Sequence, residues 1–246
     1  MYVFQNHILK KLWLLGFCVI LSFKGFTQNQ SQFQLSYKKD IPLVLAGVSG
    51  IVITRILENK LPGLSQTQID NLSQQNYLDR TLSPANYNKS FHKFSDGMIF
   101  VEIVSSITML SLQTPKDQKF PALVMAVEGY LINQAITDIV KLIVKRPRPF
   151  LYSQDVLYDK FDPDARLSFP SGHTANAAMF GFLTTSILSQ LDLINPKVGR
   201  ISAIVIPIVM GISRVYAGKH YFTDVLVGGI SGASIGLFIP YVHKLK

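Results

Sequence analysis

SRVYAGKHYFTD, residues 213–224, divides two apolar runs, IVIPIVMGI (204–212) and VLVGGISGASIGLFI (225–239). Both flanks have the character of membrane spans. The divider between them nevertheless carries a guanidinium at Arg214, an imidazole at His220 and a carboxylate at Asp224, spaced by small and aromatic residues. Ionisable groups beside apolar spans are expensive to keep there and mark functional places.

The rest of the composition agrees with a chain that lives in lipid. Of 246 residues 48% are hydrophobic and only 16% charged, with a mean hydropathy of +0.26. Soluble domains carry about 25% charge. The net charge of +9 comes from Lys and Arg scattered between apolar runs, the pattern of cytoplasmic span ends; it excludes a nucleic-acid binder, which would gather its basic residues into a patch. The single Cys18 leaves no disulfide framework and no cysteine-rich metal site. At the N-terminus His7, Lys10 and Lys11 precede the apolar run 12–23, and small residues at Gly25 and Thr27 suit cleavage before Gln28. Residues 1–27 therefore read as a signal peptide, the alternative being an uncleaved anchor.

A span takes about 20 residues. Apolar segments at 41–57, 98–112, 120–140, 174–191, 198–212 and 221–242 give an all-α, polytopic membrane bundle of about six spans. Residues 28–97 are expected to form a polar linker, the first candidate span and an extramembrane connection; residues 98–242 form the functional core. Gly228, Gly232 and Gly236 recur every four residues in the last span, which allows close helix packing. The connections with Lys116 and Lys119, with Lys197 and Arg200, and the tail with Lys244 and Lys246 are expected to be cytoplasmic. Alternation then places 145–171 and 213–224 together on the other face. It also places the start of the first span in the cytoplasm, whereas a cleaved signal would leave 28–40 outside. Either the N-terminal run does not translocate, or segment 41–57 does not cross.

Three clusters fall on that outer face. KLIVKRPRP supplies Lys141 and Arg148, FPSGHTAN supplies Ser171, Gly172 and His173, and the divider supplies Arg214, His220 and Asp224. Three fixed cations around one point favour a doubly charged tetraoxyanion, and Arg matches phosphate oxygens with paired donors. A helix opening at Ser171–His173 adds backbone N–H groups and a favourable dipole. The motifs contain no acidic cluster for Mg²⁺ and no His/Cys set for zinc, so no metal or other cofactor is expected. Two histidines suit a nucleophile and a leaving-group acid, and Asp224 is placed to accept a bond from one His220 ring nitrogen.

Lys141-x6-Arg148-Pro149, Pro170-Ser171-Gly172-His173 and Ser213-Arg214-x5-His220-x3-Asp224 together resemble the three-part signature of the type-2 phosphatidic acid phosphatases (PAP2). That superfamily includes bacterial acid phosphatases and vanadium haloperoxidases. The resemblance covers roughly 98–242 and implies a metal-free phosphatase on a helical bundle. It implies His220 as the nucleophile of a phosphohistidine intermediate, oriented by Asp224, and His173 as the acid for the leaving oxygen. Lys141, Arg148, Arg214, Ser171 and the Gly172 amide would hold the phosphoryl oxygens. In a bacterial cytoplasmic membrane such a site would face outward and take a lipid phosphate or diphosphate; a phosphatase for small phosphoesters, a vanadate-dependent haloperoxidase and a non-catalytic binder or transporter of anionic lipid are the alternatives. Outside the signature, His7, His92 and His243 read as structural or interfacial, and Lys145, Arg146 and Lys219 as topology determinants. Asp138, three residues before Lys141, is expected to pair with it. The aromatics Phe150, Tyr152, Phe161, Phe169, Tyr216, Tyr221 and Phe222 read mostly as an interfacial belt.

Overall fold

The computed structural model describes residues 32–72, 75–153 and 160–245. The N-terminal run read as a signal or anchor lies outside the described residues. Among the described residues six long helices occur, in order α1 (Tyr37–Glu58), α2 (Lys89–Gln113), α3 (Lys116–Val144), α4 (Gly172–Gln190), α5 (Pro196–Tyr216) and α6 (Phe222–His243). Five of them, all but α4, are long and apolar enough to cross a membrane. Large apolar side chains such as Ile53, Phe100, Ile201 and Ile230 stand exposed on their outer faces, as a lipid-facing girdle requires. Segment 41–57, whose crossing was in question, lies within α1, which has the length and hydropathy of a span.

α4 differs because it sits at the centre. It packs most extensively on α6, then on α5, with α3 and α2 alongside. Ala175, Ala177, Ala178, Met179 and Leu183 on it are all buried, so helices rather than lipid surround it. The Gly228, Gly232 and Gly236 repeat explains the intimacy of α4 with α6. A Cβ added at these positions would come within 2.6, 1.9 and 2.5 Å of the carbonyl oxygens of Ser171, Ala175 and Met179. No larger residue fits without moving a backbone. This contact puts the start of α6 beside the start of α4, where the Ser171 N–H donates to the Asp224 carbonyl at 3.0 Å.

Boundaries follow local capping. The Asn88 side chain accepts from Ser90 and Phe91 N–H and opens α2 at Lys89, whereas hydropathy placed the start at Met98. The first turns of α2 are polar because they face the site described below, not lipid. α3 runs on past Lys141 to Val144, and Lys145 then takes a left-handed φ of 48° ahead of Pro147; the helix stops there. Pro207 lies inside an unbroken α5. Between α1 and α2 lie two short helices: Gln66–Asp70, whose Ile69 packs on the cluster of Leu64, Phe150, Leu151 and Ala165, and Tyr77–Leu82, which packs on α6. Among the described residues no strand occurs beyond an isolated antiparallel bridge between Phe33 and Lys244.

Candidate active site

His220 lies in the turn between α5 and α6 and is almost completely buried. Its Nδ1 is 2.7 Å from the Ser168 carbonyl, so this nitrogen carries the proton. Its Nε2 is 3.2 Å from Arg148 Nη1. Because a guanidinium can only donate, Nε2 must present its lone pair. Burial, with Arg148, Arg214 and Lys141 nearby, holds the imidazole well below its ordinary pKa, against the pull of the Ser168 bond. The neutral ring with a free Nε2 is the form a nucleophile needs.

Asp224 does not hold His220 in the direct manner expected. Its Oδ2 is 3.7 Å from His220 Nδ1 and instead accepts from Ser168 Oγ at 2.5 Å and Tyr221 N–H at 2.9 Å. Ser168 thus links the two: its hydroxyl goes to Asp224 and its carbonyl to the imidazole. The i, i+4 spacing suggested a direct bond, whereas the turn before α6 aims the His220 ring at the Ser168 backbone.

Arg148 is buried between two partners. Nη1 donates to the Lys219 carbonyl at 2.9 Å, and Nη2 to Asp164 Oδ1 at 2.6 Å. Asp164 comes from the 3₁₀ turn Pro163–Arg166. Burial would raise its carboxyl, but Arg148, Lys219 and Lys141 prevail and hold it below the ordinary carboxylate range. Lys141, in the last turn of α3, lies 4.0 Å from Asp138, the expected pairing. Its Nζ is 3.6 Å from the point where a Gly172 Cβ would sit, so the ammonium stands over the opening of α4. There Ser171 is buried and caps the helix, its Oγ accepting from Thr174 N–H.

On the other side, Arg214 donates from Nη1 to Ser95 Oγ at 2.8 Å and to Asp96 Oδ1 at 3.2 Å. The same Asp96 oxygen is 2.9 Å from His173 Nε2. His92, one turn earlier on α2, is 3.3 Å from Asp96 Oδ2. The eight residues expected at the site thus converge on one end of the bundle, and Asp96 joins them as a carboxylate resting on both an arginine and a histidine.

Two basic residues read as topology determinants are corrected. Arg146 is a half-buried hub: it donates to Asp224 Oδ1 at 2.5 Å, to Thr223 Oγ1 at 2.8 Å and to Asp79, and its guanidinium lies 4.1 Å from the Tyr221 ring centroid. Asp79 also accepts from Thr223 N–H at 2.9 Å and so satisfies the N-terminus of α6. Burial raises its carboxyl, yet the bonds from Arg146 and Thr223 win and leave it lowered. Lys219 is buried, 4.0 Å from Asp164, with its ammonium 5.3 Å from the Phe150 ring centroid. Burial lowers its pKa, Arg148 and Arg214 add to this against Asp164 and Asp96, and it falls to about 7. Phe150 and Tyr221 are buried under these cations and do not belong to an interfacial belt. Asp79, Ser83, Ser95 and Asp96 all come from the polar segment before the expected core; the only signal in the sequence was an excess of hydrogen-bonding residues there.

Residues 122–246, half of the chain, match the model of the PAP2 superfamily, and the chain belongs to that superfamily. It is similar to decaprenylphosphoryl-5-phosphoribose phosphatase of Mycobacterium tuberculosis, 29% identical over 46% of this chain and 57% of the relative. It is also similar to phosphatidylglycerophosphatase B of Bacillus subtilis, 38% identical over 33% of this chain and 39% of the relative. The matches span about half the length of these curated relatives. Among solved structures, LpxE of Aquifex aeolicus is 22% identical with a TM-score of 0.47, covering 70% of this chain and 97% of that one. The transmembrane PAP2 type phosphatidylglycerolphosphate phosphatase of B. subtilis is 22% identical with a TM-score of 0.45, covering 80% and 94%.

Proposed function

We propose that the protein is a membrane phosphatase that removes the terminal phosphate of a lipid phosphate or lipid diphosphate through a phosphohistidine at His220. The observation that carries this is the His220 imidazole: Nδ1–H on the Ser168 carbonyl, lone pair on Nε2, and a guanidinium within 3.2 Å of it. Membership of PAP2 and the named activities of its relatives support the same reading.

In the first step the Nε2 lone pair attacks phosphorus and the bond to the lipid oxygen breaks. His173 gives that oxygen its proton. In the second step water attacks phosphorus, His173 takes the proton of the water, and the P–N bond breaks to free His220. Lys141, Arg148 and Arg214 stabilise the charge on the equatorial oxygens. The Ser171 side chain and the Gly172 amide complete the cradle. Asp96, against His173 Nε2, orients that ring and opposes the burial and Arg214 charge that lower its pKa to about 4, leaving Nδ1 to exchange the proton, and Asp224 positions His220 through Ser168.

The basic residues Lys38, Lys39, Lys116, Lys119, Lys197, Arg200 and Lys244 belong to helix ends and connections at the end remote from the site. The positive-inside rule then orients the pocket outward from a bacterial cytoplasmic membrane. Substrate reaches such a pocket laterally from the bilayer. Phosphatidic acid, phosphatidylglycerol phosphate, undecaprenyl diphosphate and a lipid A phosphate share the phosphoryl group that the pocket grips.

The test is phosphate release by detergent-purified protein from those lipids and from a soluble phosphoester, with His220→Ala alongside. Release from one lipid, with a base-stable, acid-labile phosphoryl label on the wild type and none on the variant, is the expected result. A His220→Ala protein that turns over at the wild-type rate would overturn it.

A further inference from the structure

At the end of the bundle remote from the phosphoryl pocket, three ligating side chains from three helices meet. They are Asp40 in the first turn of α1, Glu128 in α3 and His243 in the last turn of α6. Their ligand atoms all lie within 4.8 Å of one another. His243 Nε2 is 3.0 Å from Asp40 Oδ1 and 3.2 Å from Glu128 Oε2. We propose that Asp40, Glu128 and His243 form a divalent-cation site of the imidazole-plus-carboxylate class, with zinc as its cation.

The first argument is the orientation of the ring. His243 Nδ1 is 2.9 Å from the Ile239 carbonyl, one turn back on its own helix. That bond fixes the proton on Nδ1 and turns Nε2 towards the two carboxylates. A metal-bound histidine usually has its other ring nitrogen anchored in this way, often on a backbone carbonyl. The second argument is geometric. A tetrahedral zinc with bonds of about 2.0–2.1 Å separates its ligands by about 3.3 Å, and both distances from Nε2 are close to that edge.

The third argument is charge. The Glu128 side chain is fully buried, and neither of its oxygens has a hydrogen-bond partner. A buried carboxylate with no donors needs a counter-charge. An imidazolium would leave the two carboxylates with one negative charge between them; a divalent cation with neutral imidazole balances both. Asp40 is tied in place separately, since its Oδ2 accepts from Ser36 N–H at 2.8 Å. Finally, a cleft opens beside the ring. His243 lines a cleft of about 710 Å³ whose other walls are residues 34–36, Lys39, Tyr241, Val242, Lys244 and Leu245. Three protein ligands leave a fourth tetrahedral position for a solvent molecule.

Such a site clips the outermost helix to the bundle. α1 packs chiefly on α3, and the same corner holds the Gln34 N–H bond to the His243 carbonyl at 2.9 Å and the Lys39 bond to the Val242 carbonyl at 2.7 Å. Zinc bound only by the folded chain stabilises it by mass action.

The experiment uses full-length protein without a polyhistidine tag, incubated with zinc, desalted and assayed for metal content and for thermal unfolding by circular dichroism. About one zinc per chain is expected in the wild type and in His220→Ala. Chelation should lower the wild-type Tm by about 5 °C or more. Glu128→Gln and Asp40→Asn, which keep side-chain size and allow folding to be checked, should bind no zinc and have a Tm indifferent to chelator. A wild type with no more zinc than the variants, or a wild-type Tm that neither zinc nor chelator moves, overturns the proposal. So does zinc retained in full by Glu128→Gln, which would place the metal elsewhere.

Discussion

The two ends of the bundle hold buried polar clusters built on opposite plans. At the α4–α6 opening, five cations (Lys141, Arg146, Arg148, Arg214 and Lys219) are interleaved with the carboxylates Asp79, Asp96, Asp164 and Asp224. Most of these groups come from short loops and first or last turns. At the far end, two carboxylates and one imidazole meet from three helices, and no arginine joins them among the described residues. The first cluster is built to receive an anion and release it. The second has an excess of negative charge and suits a resident cation. For the proposed lipid phosphatase, a pocket end open to lipid gains from a fastened end on the other side.

The largest expected difference between the ends is in turnover. His220→Ala removes the attacking nitrogen, and kcat should fall by about 10³-fold or more, since no other buried imidazole faces the same guanidinium. Folding should be unaffected, as seen by an unchanged Tm. A fall of less than tenfold would mean that the nucleophile lies elsewhere.

Arg146→Ala comes next, and it should act on stability as well as rate. The substitution leaves Asp79 and Asp224 buried without their shared guanidinium, a loss of about 3–5 kcal/mol for a broken buried ion pair. Expression and Tm should drop, and the activity of surviving protein should fall by about 10–100-fold, as α6 loses the cap that aims Asp224. Asp79→Asn should reproduce the rate effect with a smaller stability effect, because Asn can still accept from Thr223 N–H. If Arg146→Ala folds and works normally, the hub is ornamental and the site ends at the signature residues.

Arg146 also shows where sequence reading stops. The signature residues were legible because each sits at a fixed offset within a short motif, and local geometry carries offsets faithfully. Arg146 lies between Lys141 and Arg148 in the same motif, yet a basic residue at a span end has a common topological explanation. Only the approach of Asp79, from the segment before the expected core, reveals its role as a hub. Asp96 was hidden for a related reason: hydropathy started α2 at Met98, so the carboxylate fell in a connection instead of on a helix facing Arg214. The Asp40–Glu128–His243 cluster had no local signal beyond a carboxylate, Glu128, inside the apolar run 120–140, since its three residues are far apart in the chain and meet only through the packing of α1, α3 and α6. The Asp224–His220 spacing misled in the opposite sense. It suggested a direct bond, and the turn inserted Ser168.

Asp96→Asn should divide kinetic constants and not abolish them. Asp96 contacts His173 Nε2 and Arg214 Nη1, so it both opposes the burial and the Arg214 charge that lower the His173 imidazole to about 4 and stands where a phosphoryl oxygen would meet Arg214. Removing its charge should lower kcat by about tenfold, within the span of general-acid contributions. It should also tighten inhibition by inorganic phosphate, because a competing anion leaves the arginine. A merely structural Asp96 would weaken both.

The pH profile probes the same pocket more gently. The active His220 is neutral, and its pKa is depressed, so protonation that stops attack sets in only as pH falls through that lowered value. The acid limb of kcat/KM should therefore lie well below pH 6.5, the ordinary imidazole value. Lys219, with a pKa of about 7, works in the other sense: it gains its charge as pH drops, so phosphate inhibition should strengthen between pH 8 and pH 6. In Lys219→Met that strengthening should shrink while the His220 limb stays in place. An acid limb at or above pH 6.5 would mean that the cations do not reach the imidazole.

Glu128→Gln should have the smallest effect on turnover, and this makes it the sharpest probe of the comparison. At a temperature well below unfolding, its kcat should stay within about twofold of wild type, since Glu128 lies near the middle of α3, more than three turns before Lys141, and shares no hydrogen bond with the phosphoryl pocket among the described residues. Heated, the same variant should lose the zinc-dependent part of its stability while His220→Ala retains it. The two substitutions thus exchange phenotypes: one removes chemistry and keeps the clip, the other removes the clip and keeps chemistry. A Glu128→Gln protein that lost activity at low temperature, with its fold intact by circular dichroism, would show that the two ends are coupled through α3. The remote cluster would then belong to the catalytic cycle and not only to the scaffold.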